Sequence, residues 1–253
     1  LRMIPEDIAR KLWGSENLLA IVNVAKGIEE QSLKTIDKIL FDELPQKLHS
    51  KICALSGPSH AEEVPRQIPT TVVIAGTNEE LLKTLQEVFS NDYFRVYRSA
   101  DLVGVEIGGA IKNIIAIAAG IVSGLGFGDN TMGALLTRGI VEISRFGESM
   151  DALPETFLGL SGIGDLITTA ISPNSRNRYV GYELGKGKKL KDIQASMQMV
   201  AEGVASTRSV YQLSQRLGVD MPITTEVYKI LYEDKEPLSA MRDLMKRELK
   251  AEF

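Results

Sequence analysis

The sequence has few of the residues that build disulfides and metal centres. Its 253 residues include one cysteine, Cys53, and two histidines, His49 and His60. A single cysteine excludes a disulfide within the chain and any cluster of cysteine ligands, and Cys53 is predicted to be a small core residue of a strand. Two poorly spaced histidines are too few for a metal site. We therefore expect no metal cofactor.

An excess of basic charge and a long apolar run are also missing. Lysine and arginine number 29 against 33 acidic residues, so the net charge of −4 gives no basic footprint for nucleic acid. The most membrane-like run, residues 114–122, is far shorter than a membrane span and contains Gly120. Charged residues such as Arg2 and Asp7 interrupt any secretory signal at the start. We expect a globular, cytoplasmic protein without a nucleic-acid partner or a membrane span.

The hydrophobic pattern changes near residue 100, from strands alternating with helices to helices alone. Alternating strands and helices predict a parallel sheet whose ligands bind at the carboxyl ends of the strands. The predicted strands are 18–25, 51–56, 70–75 and 94–98, and the helices among them are 1–13, 32–44 and 79–89. The later helices are 102–125, 129–148, 154–160, 165–171, 176–185, 189–197, 202–217, 223–232 and 237–250. We expect one unit over 1–100 and an all-helical unit over 101–253.

The glycine-rich turn of a dinucleotide-binding sheet is not found in these residues. No G-x-G-x-x-G occurs, and the nearest match, Gly104 to Gly109, lies in a helical context. If the chain is a nucleotide-binding fold, we expect roughly the first 60 to 90 residues of that fold to be missing. We also expect little activity from this polypeptide alone, since the pyrophosphate would lack its turn.

Lys112 is the one basic residue of the predicted helix 102–125, and its neighbours are apolar or small. Gly108, Ala116 and Gly120 lie four and eight residues from it, on nearly the same face, which leaves room beside its ammonium. A buried lysine is costly unless it is paired or its pKa falls, and a lowered pKa is what a proton-transfer group needs. The alternatives are a lysine that extends to the surface or closes a structural ion pair.

Two polar clusters follow predicted strands. Lys26 lies at the carboxyl end of the first strand, where a surface lysine is the simpler interpretation. The turn 57–63, Gly-Pro-Ser-His-Ala-Glu-Glu, has free N–H groups that suit an anion or a ribose. An ordinary proline-containing turn capped by Ser59 remains the alternative.

Two further clusters lie at predicted helix starts. Asp165 opens a helix after two glycines, with Thr169 one turn later on the same face, and Asp165 could be catalytic or simply an N-cap. Ser175 is a natural N-cap, and Arg176 beside it can bind a phosphate with two hydrogen bonds at the positive end of the helix. A solvated basic turn is the alternative here.

Six short motifs taken together, in chain order, resemble bacterial NAD(P)-dependent glycerol-3-phosphate dehydrogenase, over essentially all 253 residues. The motifs are Lys-Gly-Ile-Glu at 26–29, the turn at 57–63, residues 104–113, Gly-Phe-Gly-Asp-Asn at 126–130, Gly-Ile-Gly-Asp-Leu at 162–166 and Ser-Arg-Asn-Arg at 175–178. The resemblance implies an incomplete Rossmann-type parallel sheet, followed by an all-helical domain like the carboxyl-terminal domain of 6-phosphogluconate dehydrogenase. It also implies NAD or NADP as cofactor, a homodimer, and interconversion of sn-glycerol 3-phosphate with dihydroxyacetone phosphate for glycerophospholipid supply.

The resemblance also assigns roles to individual residues. Lys112 is implied to be the proton acceptor and donor, with Lys26 between cofactor and substrate and Asp165 completing the catalytic group. The implied substrate contacts are Lys26, Gly57, Ser59, Lys112, Asn113, Asp165, Thr169, Ser175, Arg176 and Asn177. The implied cofactor contacts are Lys26, Ala61, Arg176, Val200 and Glu202.

Two other functions remain open at this point. One is a related hydroxyacid dehydrogenase of the same two-domain build, against which the phosphate-binding pattern at 175–178 argues. The other is a catalytically silent helical module that only binds substrate or dimerises.

Overall fold

The computed structural model describes Gly14, residues 17–249 and residues 251–252. The helix predicted over residues 1–13 lies outside the described residues, as does Lys250, the last residue of the helix predicted over 237–250.

Four strands form one sheet in the order β1-β2-β3-β4. They are β1 (Ile21–Asn23), β2 (Ile52–Ser56), β3 (Thr70–Gly76) and β4 (Phe94–Ser99). The β1–β2 and β3–β4 pairs are parallel, and each is connected through a helix, α1 (Ile36–Glu43) and α2 (Glu79–Phe89) respectively. Asn78 caps α2 by accepting a hydrogen bond from the backbone N–H of Leu81, as predicted.

The sheet is mixed, which corrects the expectation of a parallel sheet. Strands β2 and β3 pair antiparallel, with Ser56 opposite Val73. Their connection, residues 57–69, contains a short 3-10 turn at Val64–Arg66 in place of a crossover helix, and an antiparallel pair needs no such crossover. The turn after β2 still lies at the same edge of the sheet as the carboxyl end of β1.

Apolar side chains cover both faces of the sheet. One face packs against α2 through residues such as Val72, Ile74 and Leu82. The other face packs against α1 and the start of the next helix, α3 (Leu102–Gly124). Cys53 is buried in β2, as predicted, and burial raises the pKa of its thiol to about 11.

Helices follow α3 along the described chain. They are α4 (Asp129–Glu148), α5 (Pro154–Phe157), α6 (Asp165–Ile171), α7 (Arg176–Gly185), α8 (Leu190–Ser196), α9 (Glu202–Leu217), α10 (Pro222–Tyr232) and α11 (Pro237–Met245). Among the described residues, α3 alone has the length and apolar composition of a membrane-spanning helix, but its most apolar 18-residue stretch is entirely buried. It forms the centre of the helical core.

The backbones of α3 and α7 touch where they cross. A Cβ on Gly120 would lie 2.1 Å from the carbonyl oxygen of Arg178, and a Cβ on Gly181 would lie 1.9 Å from that of Ile117. Both distances are far below van der Waals contact, so only glycine permits this approach. The crossing fixes the first turn of α7 relative to the middle of α3.

Candidate active site

Lys112 lies inside the protein, and two residues of α6 hold its ammonium. The residue is 6% exposed. Its Nζ donates hydrogen bonds to Asp165 Oδ1 at 2.5 Å and to Thr169 Oγ1 at 2.7 Å. Thr169 in turn donates to the same Asp165 oxygen at 3.2 Å, as their one-turn spacing allows. The interpretation of Lys112 as a lysine that extends to the surface is therefore wrong.

Lys26 reaches the same carboxylate from the sheet. Its Nζ donates to Asp165 Oδ2 at 2.6 Å, so each oxygen of Asp165 holds one lysine. Its side chain is 20% exposed, which contradicts the simple surface lysine. The aliphatic stem passes Gly109 of α3, where a Cβ would lie 3.3 Å from Lys26 Cγ. Glycine at this position leaves the stem its path to the interior.

Asp165 is the first residue of α6, and its carboxylate does not cap that helix. The residue before α6 is Gly164, at the end of a π-helical turn, Leu160–Gly164, and makes no side-chain cap. The interpretation of Asp165 as an N-cap is therefore wrong. Its carboxylate is buried and instead neutralises part of the charge of the two lysines.

Electrostatics set the protonation of Lys112. Burial lowers the pKa of its ammonium to about 8, because the charged form loses its hydration. The Asp165 carboxylate opposes this shift, and the Lys26 ammonium adds to it. Near pH 8 the amine can therefore either accept or donate a proton, which a lysine of ordinary pKa cannot do.

The first turns of α7 and α9 meet beside Asn113, the neighbour of Lys112. Ser175 caps α7, as predicted, by accepting from the backbone N–H of Arg178 at 3.2 Å. Asn177 Oδ1 accepts from the backbone N–H of Gly203 at 2.9 Å. A Cβ on Gly203 would lie 2.8 Å from the carbonyl oxygen of Asn113, so these segments are packed closely together.

Arg176 lies on the surface at the start of α7. Its Nη1 donates to the carbonyl oxygen of Val200 at 2.9 Å, which connects the two segments predicted to contact the cofactor. Val200 and Glu202 are exposed. Within the described residues Arg176 makes no hydrogen bond to Lys112, so the two are related through the α3–α7 crossing rather than by contact.

The turn after β2 also lies beside the lysine cluster, by which we mean Lys26, Lys112, Asp165 and Thr169. A Cβ on Gly164 would lie 3.8 Å from Pro58 Cδ, which places this turn against the residue preceding Asp165. Ser59 donates to the carbonyl oxygen of Gly57 at 3.1 Å, and Ser59 and Ala61 are exposed. Contacts therefore connect the turn after β2 to the residue before Asp165, and the start of α7 to residues 200–203, and the roles of these segments stay predictions.

Sequence reasoning missed Asn23, which bonds to Ala25 beside Lys26, and Gly109, which adjoins the stem of Lys26, and it gave no role to Glu106. The one signal for Glu106 was its standing as the sole acidic residue of an apolar helix. Among the described residues, no group of three or more histidine, cysteine or acidic side chains could hold a metal ion.

Comparison with known proteins gives the family. The profile of the NAD-dependent glycerol-3-phosphate dehydrogenase amino-terminus matches residues 4–82, and that of its carboxyl-terminus matches residues 101–242. A glycerol-3-phosphate dehydrogenase [NAD(P)+] of Leptospira biflexa is 55% identical over 232 residues, which are 92% of this chain and 70% of that protein. One of Citrifermentans bemidjiense is 51% identical over 257 residues, covering all of this chain and 77% of that protein.

Solved structures agree. Glycerol-3-phosphate dehydrogenase of Coxiella burnetii superposes with a TM-score of 0.85 at 36% identity, over 96% of this chain and 73% of that one. The enzyme of Saccharomyces cerevisiae gives a TM-score of 0.83 at 26% identity, over 96% of this chain and 72% of that one. The resemblance seen in the six motifs is confirmed, and the chain belongs to the NAD(P)-dependent glycerol-3-phosphate dehydrogenase family.

Proposed function

We propose that Lys112 exchanges the proton in the interconversion of sn-glycerol 3-phosphate and dihydroxyacetone phosphate. The observation that carries this proposal is a buried amine with a pKa near 8, held at 2.5 Å by one carboxylate. In the oxidation, neutral Lys112 accepts the hydroxyl proton. In the reduction, protonated Lys112 donates it to the carbonyl oxygen.

The contacts of Lys112 leave one donor for the substrate. An ammonium has three N–H groups, and Asp165 and Thr169 take two of them. No third hydrogen bond of this ammonium is found among the described residues, so its remaining N–H can point at the reacting oxygen. Lys26, on the other oxygen of Asp165, adds a second positive charge beside that position and stabilises negative charge on the oxygen.

We place the substrate phosphate at the first turn of α7. The positive end of this ten-residue helix, the capping hydroxyl of Ser175 and the guanidinium of Arg176 together suit a dianion. Asn177 and Asn113, which both contact Gly203, connect this end to Lys112. Thr169 lines the amine, and Gly57 and Ser59 of the turn after β2 would contact the substrate from the sheet.

The residues present also fit the nicotinamide end of NAD(P). Ala61 and Arg176 are exposed at the edge of the site, and Val200 and Glu202 lie beside Arg176. With Lys26 they would hold the cofactor, which supplies or takes the hydride. We propose that residues 1–100 belong to the dinucleotide-binding domain and residues 101–253 form the helical substrate domain. We further propose a homodimer and a role in supplying glycerophospholipid precursors.

The test is Lys112→Ala in the intact enzyme. We expect turnover of dihydroxyacetone phosphate with NADH to fall by about 10²–10⁴-fold, the usual contribution of a general acid or base. Equilibrium binding of the substrate should change far less. Lys83→Ala removes an exposed lysine of α2 and serves as the control. Turnover of Lys112→Ala close to that of the control would remove Lys112 from the mechanism.

A further inference from the structure

Glu106 is a buried acid on the helix that carries Lys112, and it lies outside the lysine cluster. It is 7% exposed on α3. Its two oxygens accept hydrogen bonds from different elements: Oε1 from Asn23 Nδ2 at 2.8 Å and Oε2 from the backbone N–H of Asp37 at 3.0 Å. Glu106 thus joins α3 to the end of β1 and to the start of α1.

The contact with Asn23 controls the turn that leads to Lys26. Asn23 Oδ1 accepts from the backbone N–H of Ala25 at 2.9 Å, and its Nδ2 donates to the carbonyl oxygen of Ala25 at 3.2 Å. These bonds form a local turn one residue before Lys26. Glu106 accepts a hydrogen bond from the Asn23 side chain, whose amide also forms this turn.

Two positions of α3 that are about one turn apart contact the two ends of the segment 23–26. Glu106 contacts Asn23. Three residues later in both segments, Gly109 of α3 adjoins the stem of Lys26. Three residues further along α3, Lys112 meets the same carboxylate as Lys26. The distance between the two lysines is therefore set by the fit of residues 23–26 against α3.

The protonation of Glu106 suits this contact. Burial above all raises the pKa of Glu106 to about 8, and the nearby Asp37 carboxylate adds to the shift. Burial thus favours the neutral form of the carboxyl. Its two oxygens accept from Asn23 and from the backbone N–H of Asp37, and a glutamine amide could keep only one of these bonds because it has a single acceptor oxygen.

We propose that Glu106 is a positioning residue for the reaction, which through Asn23 sets the place of Lys26 beside Lys112 and Asp165. This inference rests on the function proposed above. It requires no contact between Glu106 and substrate or cofactor.

The experiment measures kcat and KM in the intact enzyme with dihydroxyacetone phosphate and NADH. Because small displacements of catalytic groups are costly, Glu106→Ala should lower kcat by about ten- to a hundred-fold in the folded protein. Glu106→Gln should lose less than Glu106→Ala, since its amide oxygen can still accept from Asn23, although its amide nitrogen cannot accept from the backbone N–H of Asp37. Equal loss in the two variants would overturn the proposal.

Glu142→Ala is the matched control for a purely structural effect. Glu142 is likewise a buried carboxylate that accepts two backbone N–H groups, from Ile223 and Thr224 at 2.8 Å each, at the start of α10. We expect it to lower the melting temperature but to leave kcat of the folded protein unchanged. A comparable kcat loss in Glu142→Ala would assign the Glu106 effect to general destabilisation.

A double variant separates this inference from the proposed function. If Glu106 acts through Lys26, Glu106→Ala should cost no further activity in a Lys26→Ala background. Additive losses would overturn the positioning role while leaving the roles of the lysines intact. Full activity of Lys112→Ala and Lys26→Ala would instead refute the proposed function itself.

Discussion

Lys26 should control the pH at which the enzyme works, because its charge repels the proton on Lys112. The two nitrogens bind opposite oxygens of one carboxylate, at 2.6 and 2.5 Å. With about 2.2 Å between those oxygens, as C–O bonds of about 1.25 Å require, the nitrogens are no more than about 7 Å apart. At an effective dielectric constant of about 20, two unit charges at this upper limit of about 7 Å repel by about 2 kcal/mol, so the repulsion between the two lysines is at least that large.

The variant Lys26→Met removes the charge and keeps most of the volume. A change of about 2 kcal/mol corresponds to about 1 to 2 pKa units, so the pKa of Lys112 should rise from its present value by that amount. In the reduction the protonated amine is the active form. The alkaline limb of kcat/KM should therefore move to higher pH by about 1 to 2 units, on a lower overall rate.

The assay is NADH oxidation by dihydroxyacetone phosphate across pH 6 to about 10.5, a range chosen to span the ordinary lysine pKa of about 10.4. Lys83→Met, which removes a surface lysine paired with Glu80, should leave the limb in place. An alkaline limb of Lys26→Met that coincides with wild type, or lies at lower pH, would refute the electrostatic coupling between the two lysines.

The remaining predictions concern phosphate, packing and cofactor. With NADH saturating, so that the proposed cofactor contact of Arg176 does not limit the rate, Arg176→Ala should raise KM for dihydroxyacetone phosphate by about ten- to a hundred-fold, as loss of a charge-assisted pair implies, and leave kinetics with unphosphorylated dihydroxyacetone nearly unchanged. Equal effects on both substrates would place the phosphate elsewhere. Gly181→Ala should cost about 1–3 kcal/mol or more of unfolding free energy in urea, because its Cβ would lie 1.9 Å from the carbonyl oxygen of Ile117. Gly133→Ala, where a Cβ meets open space inside α4, should instead gain about 1 kcal/mol. The 253-residue polypeptide by itself should bind NADH weakly, since its sequence holds no glycine-rich pyrophosphate turn; tight, saturable binding in a fluorescence titration would contradict this.

Long periodic segments were predictable from the sequence because their own residues specify them. The apolar stretch of α3 and the capped start of α7 lie within a few residues of their predicted bounds. Lys112 stood out for the same local reason, as the one cation in a helix without other charges except Glu106. Burying an unpaired ammonium costs so much free energy that Lys112 needed an acidic partner, and in the structure that partner is Asp165.

The direction of β3 was not predictable, because the residues of a strand do not encode whether it runs parallel to its neighbour. The role of Asp165 was ambiguous for a related reason. An aspartate at a helix start caps the helix unless other groups attract it, and those groups, Lys26 and Lys112, lie 139 and 53 residues away in the chain. The contact of Glu106 with Asn23 spans 83 residues and was equally invisible.

The glycine contact between α3 and α7 fixes the position of the helix that carries Lys112 relative to the helix that begins at Arg176. With backbone resting on backbone at Gly120 and Gly181, neither helix can slide without a steric clash. The span from the amine of Lys112 to the start of α7 is therefore fixed before any ligand arrives. In the proposed reaction this distance must match the distance from the oxidisable carbon of the substrate to its phosphate. A substrate analogue one carbon longer would therefore have to bend in order to fit.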